Sequence, residues 1–190
     1  MKNNYIYILA LLIFSCCGNI HAQSTIDTGD QKYKLLATIK TSTMQKEMDE
    51  VSAQGYRILV GSPTSSAEMA VFLSRDGTVK EPYKYKLLAT TRTGTMQKEL
   101  NEAADGGFRL ITSTMIAKKQ LLGGVEIVMI MERPPRVVKQ YEYKLLATSR
   151  TSTLQKEVTE AQTAGFAIVG MVSRDEHMVV MEREKDVPIP

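Results

Sequence analysis

The chain has 190 residues, 43% of them hydrophobic and 24% charged, with a formal net charge of +3, two cysteines and no tryptophan. That balance suits a folded chain, and it is too mildly basic for a nucleic-acid binder, whose positive charge gathers in a stripe or patch. Both cysteines, Cys16 and Cys17, fall near the start, so the rest of the chain has no disulfide and no thiolate chemistry to draw on.

Residues 1–22 read as an export signal: Lys2, an apolar run from Ile6 to Phe14, then Ile20-His21-Ala22 ending on a small residue. The run falls far short of the ~20 residues that cross a membrane, and no later stretch is long enough, so no transmembrane segment is expected after the signal. The expected location is periplasmic or secreted. In an alternative reading Ile13-Phe14-Ser15-Cys16 resembles a lipobox, which would make Cys16 an acylated first residue and hold the chain on the envelope by lipid. Phe14 stands where such a box carries a small residue.

Three segments repeat one pattern. Tyr33, Tyr85 and Tyr143 each open Tyr-Lys-Leu-Leu-Ala-Thr, followed by Thr-x-Thr-(Met/Leu)-Gln-Lys-Glu and a Gly-aromatic pair. A tandem repeat means that one local solution is folded and packed three times. The modules span residues 33–74, 85–133 and 143–183, separated by Asp76-Gly77 with Pro82 and by Pro134-Pro135, where an element cannot continue. Residues 184–190 read as a loose tail.

Within a module the first strand places Tyr33, Leu35 and Ala37 on one face and Lys34, Leu36 and Thr38 on the other. Thr43, Thr95 and Thr153 are the expected helix N-caps, with Ser42 and Gln45 offering a competing capping box. The helix carries a narrow apolar stripe: Met44, Met48, Val51; Met96, Leu100, Ala103; Leu154, Val158, Ala161. Gly55, Gly107 and Gly165 follow, where positive φ ends a helix without a Cβ clash. An aromatic residue then opens a second strand. The third strand is nearly continuous in apolar residues, which predicts a central position covered on both faces. The fold class is therefore α+β: three tandem β-α-β-β modules, each a mainly antiparallel three-stranded sheet with one helix. Leu36, Leu88 and Leu146 are expected on the face away from the helix. A lone module of this size lacks core, so the modules should pack together, as a continuous sheet, a pseudo-threefold cluster or with one module left for a second chain.

The pattern Tyr141-Glu-Tyr-Lys-Leu-Leu, with Leu100-Asn101-Glu102, Gly107-Phe108-Arg-Leu and Ile127-Val-Met-Ile-Met-Glu-Arg133, resembles a small bacterial domain-of-unknown-function family. Its members read Tyr-x-Tyr-Lys, Leu-Asn-x-x-(small)-x-x-Gly-Trp-x-Leu and a last apolar strand ending in Arg or Lys. Phe or Tyr replaces that tryptophan in every copy here. The resemblance covers each module and implies a β-α-β-β fold without known catalytic residues. A looser similarity links the same plan to small enterobacterial periplasmic stress proteins.

The best ligand candidate is an anion site at each helix N-terminus: Lys40, Thr41 and Thr43; Arg92, Thr93 and Thr95; Arg150, Thr151 and Thr153, a cation and hydroxyls beside orphan amides. Capping alone explains the same residues. Glu47, Glu99 and Glu157, and Glu50, Glu102 and Glu160, read as surface charges that complement the dipole or a nearby lysine. His177 with Met178 and Met181 offers a thioether site for copper, set against plain core packing. No cofactor is expected. The second module alone inserts residues 115–124, whose Ile116, Leu121 and Leu122 beside Lys118 and Lys119 would give peripheral contact with a partner or membrane, unless they extend strands. These features favour a non-enzymatic exported protein that binds a protein partner or associates with itself in the envelope, with no nucleic acid. An anion or small-ligand sensor is the alternative, and a hydrolase the last.

Overall fold

A computed structural model describes residues 31–186 except 66, 76, 78–80, 122 and 138. The signal, Cys16, Leu122 and residues 187–190 lie outside the described residues.

The first module runs β1 (Tyr33–Thr38), α1 (Thr41–Ser52), β2 (Arg57–Pro63) and β3 (Met69–Ser74). The second runs β4 (Lys84–Thr90), α2 (Thr93–Asp105), β5 (Arg109–Leu110), a 3-10 turn at Thr112–Thr114, β6 (Ile116–Lys119) and β7 (Val125–Arg133). The third runs β8 (Tyr141–Thr148), α3 (Thr151–Thr163), β9 (Ala167–Ser173) and β10 (His177–Glu184). Each sheet is antiparallel with its last strand in the middle: β1-β3-β2, β4-β7-β5 with β6 also on β7, and β8-β10-β9. The α+β class and the repeated β-α-β-β plan are as the repeat predicts.

The three modules share one register. Tyr33, Tyr85 and Tyr143 face Ser74, Glu132 and Glu182 on the central strand. Gly55, Gly107 and Gly165 end the helices at φ of 86°, 82° and 86°, a conformation that costs any Cβ-bearing residue.

The helix starts differ from the sequence expectation. Thr43, Thr95 and Thr153 lie inside the first turn, and Lys40, Arg92 and Arg150 are the N-caps, with no side-chain cap bond. Their carbonyls already accept the first helical bonds, from Met44, Met96 and Leu154. The hydroxyl that shapes the turn comes from the strand end instead: Thr38, Thr90 and Thr148 Oγ1 accept from the amides of Lys40, Arg92 and Arg150 at 3.3, 3.1 and 3.1 Å. The Ser42 capping box is not formed, because the Gln45 amide is engaged elsewhere.

The modules pack as a serial stack, neither a continuous sheet nor a threefold cluster. Met44, Met48 and Val51 of α1 join Leu36, Met69, Val71 and Leu73 of their own sheet, and Tyr85, Val128 and Ile130 of the next sheet close the same cluster. Met96 and Leu100 of α2 pack with Leu88 and Met129, and Tyr143, Leu145, Met178 and Val180 of the third sheet close that one. Each internal helix thus lies between its own sheet and the outer face of the next. Leu36, Leu88 and Leu146 sit on their own helix's side, not the far side; both strand faces carry a leucine, and alternation alone does not say which one the helix takes. Burying one such leucine or methionine contributes about 1.5–3 kcal/mol, so two-sided coverage supplies the core that a single module lacks.

The ends of the stack depart from this pattern. The central strand of the second module is buried continuously from Ile127 to Met131, as expected for two-sided coverage, whereas β3 alternates, with Val71 buried and Phe72 45% exposed. Among the described residues no module precedes the first sheet. At the other end, β10 runs to Glu184 and Lys185 N donates to Gln140 O at 2.8 Å, so order continues past residue 183.

Candidate functional site: the seams between modules

Chemistry-bearing side chains gather where one module meets the next. In the first seam the Gln45 carboxamide lies against the free edge of β4: Nε2 donates to Tyr85 O at 3.0 Å and Oε1 accepts from Leu87 N at 2.8 Å. Gln97 repeats this on β8, donating to Tyr143 O at 2.8 Å and accepting from Leu145 N at 2.6 Å. Asn101 adds a second clamp, Nδ2 to Tyr143 O at 3.0 Å and Oδ1 from Tyr143 N at 2.9 Å. A carboxamide carries one donor and one acceptor side by side, the same pair that a neighbouring strand would offer, so it satisfies an edge that would otherwise remain open.

The edge tyrosines then reach back beneath the preceding module. Tyr85 Oη accepts from Ile58 N at 3.1 Å, and Tyr143 Oη accepts from Leu110 N at 2.9 Å while donating to Glu182 Oε2 at 2.7 Å. Burial pushes both phenols well above their ordinary range, with the nearby carboxylates adding to it. Arg57 forks onto Glu132 at 3.1 and 2.6 Å with its guanidinium 4.4 Å from the centre of the Tyr83 ring. Arg109 does the same to Glu182 at 3.2 and 2.8 Å over Tyr141 at 4.2 Å. Their carboxylate partners raise the pKa of both arginines, and bidentate geometry gives the pairs direction as well as charge.

Between the two arginines lies a cavity of about 270 Å³ lined by Arg57, Tyr83, Arg109, Glu132, Lys139 and Tyr141 among others. Its three cations are each matched to a carboxylate, Lys139 to Glu184 at 2.8 Å. It therefore presents no concentrated positive charge to a ligand.

The proposed anion residues do not form one site, since the three helix N-termini belong to successive layers. At α2 the protein supplies its own anion. Thr93 Oγ1 donates to Glu176 Oε1 at 3.1 Å, and Arg174 from the same hairpin reaches Thr91 O at 2.5 Å and Glu176 at 3.3 Å. Before α1 the neighbour is a cation: Lys118 Nζ donates to Ile39 O at 3.1 Å and pairs with Glu126 at 3.5 Å. Lys40, Arg92 and Arg150 are exposed.

His177, Met178 and Met181 do not converge. Met178 and Met181 are both about 1% exposed but belong to different apolar clusters, on opposite faces of β10, and His177 Nδ1 lies 3.3 Å from Ser173 Oγ. A residue offset of three along a strand reverses the side-chain direction.

The insertion of the second module is also not a contact loop at its start. Ile116 is 5% exposed in the first seam and Lys118 is equally buried, because β6 continues the second strand along β7 after the 3-10 turn. Leu121 alone among the described members of that trio is exposed, at 74%. In the sequence Gln45 reads as half of a capping box and Gln97 as polar helix surface, so neither shows itself as a clamp. Their signal was their presence beside the apolar stripe in all three repeats.

No family model, no curated protein and no solved structure matches the chain.

Proposed function

We propose that the protein is an exported, non-enzymatic binding or structural component of the bacterial envelope, a scaffold built of three stacked modules. The observation that supports this best is the use of its polar side chains: the arginines, glutamates, tyrosine hydroxyls and carboxamides in the seams are engaged with one another or with strand backbone, while apolar side chains at the two ends of the stack stand exposed. Side chains already matched in ion pairs and backbone bonds are poorly placed for acid–base or nucleophilic work, which needs a group poised in a cleft. Large exposed apolar surface is what protein contacts use. Anion sensing is the less favoured reading, because the α2 terminus holds Glu176.

The intact mass of the protein isolated from its own cell envelope tests this reading. A scaffold has the same mass before and after denaturation, apart from protein partners. A small molecule or metal that is lost on denaturation would contradict it, and a lipid-sized mass that persists would place the anchor at Cys16.

A further inference from the structure

The seam is made twice inside the chain, and each half of it is present once more, unused among the described residues, at an end. The geometry points to head-to-tail self-association: the α3 and β9 face of one copy seats on the β1 and β3 face of a second copy, repeating the internal seam. This inference rests on the scaffold reading and names its partner as another copy of the chain.

Register assigns the contacts residue by residue. Gln45 and Gln97 correspond to Gln155, whose Nε2 among the described residues reaches only Thr159 Oγ1 of its own helix, at 3.4 Å. Tyr85 O and Leu87 N, and Tyr143 O and Leu145 N, correspond to Tyr33 O and Leu35 N on an edge that no described strand or carboxamide covers. The burial figures mark the same vacancy. Tyr85 and Tyr143 are 4% and 2% exposed, and Tyr33 is 53% exposed; Ile130 and Val180 are 2% and 0% exposed, and Phe72 is 45% exposed. On the opposite end Ile58 and Leu110 are 5% and 6% exposed, and Ile168 is 57% exposed. Seating the ends together would carry Tyr33 beneath β9, to accept from Ile168 N as Tyr85 accepts from Ile58 N.

The charged half of the seam supports a matched pair of faces. Arg57 and Arg109 correspond to Ala167, while Glu132 and Glu182 correspond to Ser74, and Tyr83 and Tyr141 to Gln31. The guanidinium is missing from one end and its carboxylate and ring from the other. An arginine facing serine, or a glutamate facing alanine, would be buried without a partner, and removing both avoids that cost. Ends meant for water would keep charge and shed apolar residues, as terminal repeats in stacked arrays do; here Leu35, Phe72 and Ile168 remain and the charges are gone. One polar contact persists. Glu68 and Glu176 directly precede β3 and β10, and Glu176 sits at the α2 terminus on Thr93, while Glu126, already inside β7, pairs with Lys118. Glu68 of the second copy is thereby brought to Thr151 and Arg150 at the α3 terminus, where a carboxylate complements the dipole. The contact joins unlike faces, so it propagates into a ring or a filament rather than stopping at a twofold dimer.

Sedimentation velocity across a concentration series tests this with two end-blocked variants, Leu35→Lys and Ile168→Lys. Both positions are exposed in the single chain, and circular dichroism checks that each variant is folded. The wild type is expected to grow in whole-chain steps with concentration. Each variant alone should be monomeric, and an equimolar mixture should form a one-to-one pair and nothing larger, since only one exit face and one entry face remain open. A wild type that stays monomeric overturns the inference, whether its ends prove bare or covered by another protein. So does a variant that still self-associates alone. A small molecule lost on denaturation would overturn the scaffold reading instead.

Discussion

The Tyr143 hydroxyl donates to Glu182 at 2.7 Å while it accepts from the Leu110 amide at 2.9 Å, linking three elements of two modules through one oxygen. Replacing Tyr143 by phenylalanine leaves the shape and strands the Leu110 N–H. A buried unsatisfied group costs about 1–3 kcal/mol, so urea unfolding of Tyr143→Phe should show a loss in that range.

The same phenol makes stability sensitive to alkali. Burial holds the folded-state pKa of Tyr85 and Tyr143 above the unfolded value, so above about pH 10 the unfolded chain gives up protons that the folded chain keeps. The contribution is fully present below that pH and is lost as pH rises through and beyond it. The urea midpoint should fall with alkali, and fall less steeply in the Tyr85→Phe, Tyr143→Phe double variant. Equal slopes would contradict the burial of these hydroxyls.

Gln97 and Gln155 occupy the same place in their modules and should respond differently to alanine. Gln97→Ala unpairs Tyr143 O from its carboxamide and leaves Leu145 N without its acceptor, at a cost of about 1–3 kcal/mol, partly offset by Asn101. Gln155→Ala in the single chain removes only an exposed local bond and should stay within about 0.5 kcal/mol. Thermal denaturation of dilute protein compares them.

Arg109→Ala should cost more than Arg57→Ala. The carboxylate left behind is 8% exposed at Glu182 and 18% at Glu132, and the more buried charge suffers more from losing its partner. Both arginines are about half exposed, so solvent screening limits each loss to roughly 1–2 kcal/mol. Equal destabilisation in urea would contradict the ranking.

What could be read in the sequence followed from local rules. The Tyr-Lys-Leu-Leu strand, the glycine after the helix and the central third strand depend on alternation, positive φ and continuous apolar runs, and each formed where expected. The side on which Leu36 packs, and the role of Gln45, depend on what lies in the next layer. A carboxamide that covers a neighbouring strand edge looks the same in sequence as one in water. Thr43 was read as a cap because hydroxyls crowd that turn, and the bonds of Thr38 decide the helix start instead. The seam ion pairs leave a trace that comparison of the repeats exposes, since arginine, glutamate and tyrosine are present together in the two internal seams and absent together at the ends.

Amide hydrogen exchange at Leu35, Leu87 and Leu145 tests the central claim most directly, that one seam is built twice within the chain and left open at its ends. The three amides occupy the same register position on the first strand of their modules. In dilute protein Leu87 and Leu145 should be protected by their glutamine acceptors and Leu35 should exchange rapidly, gaining protection as concentration rises. Fast exchange at Leu87 and Leu145, or a Leu35 amide whose exchange ignores concentration, would contradict the account.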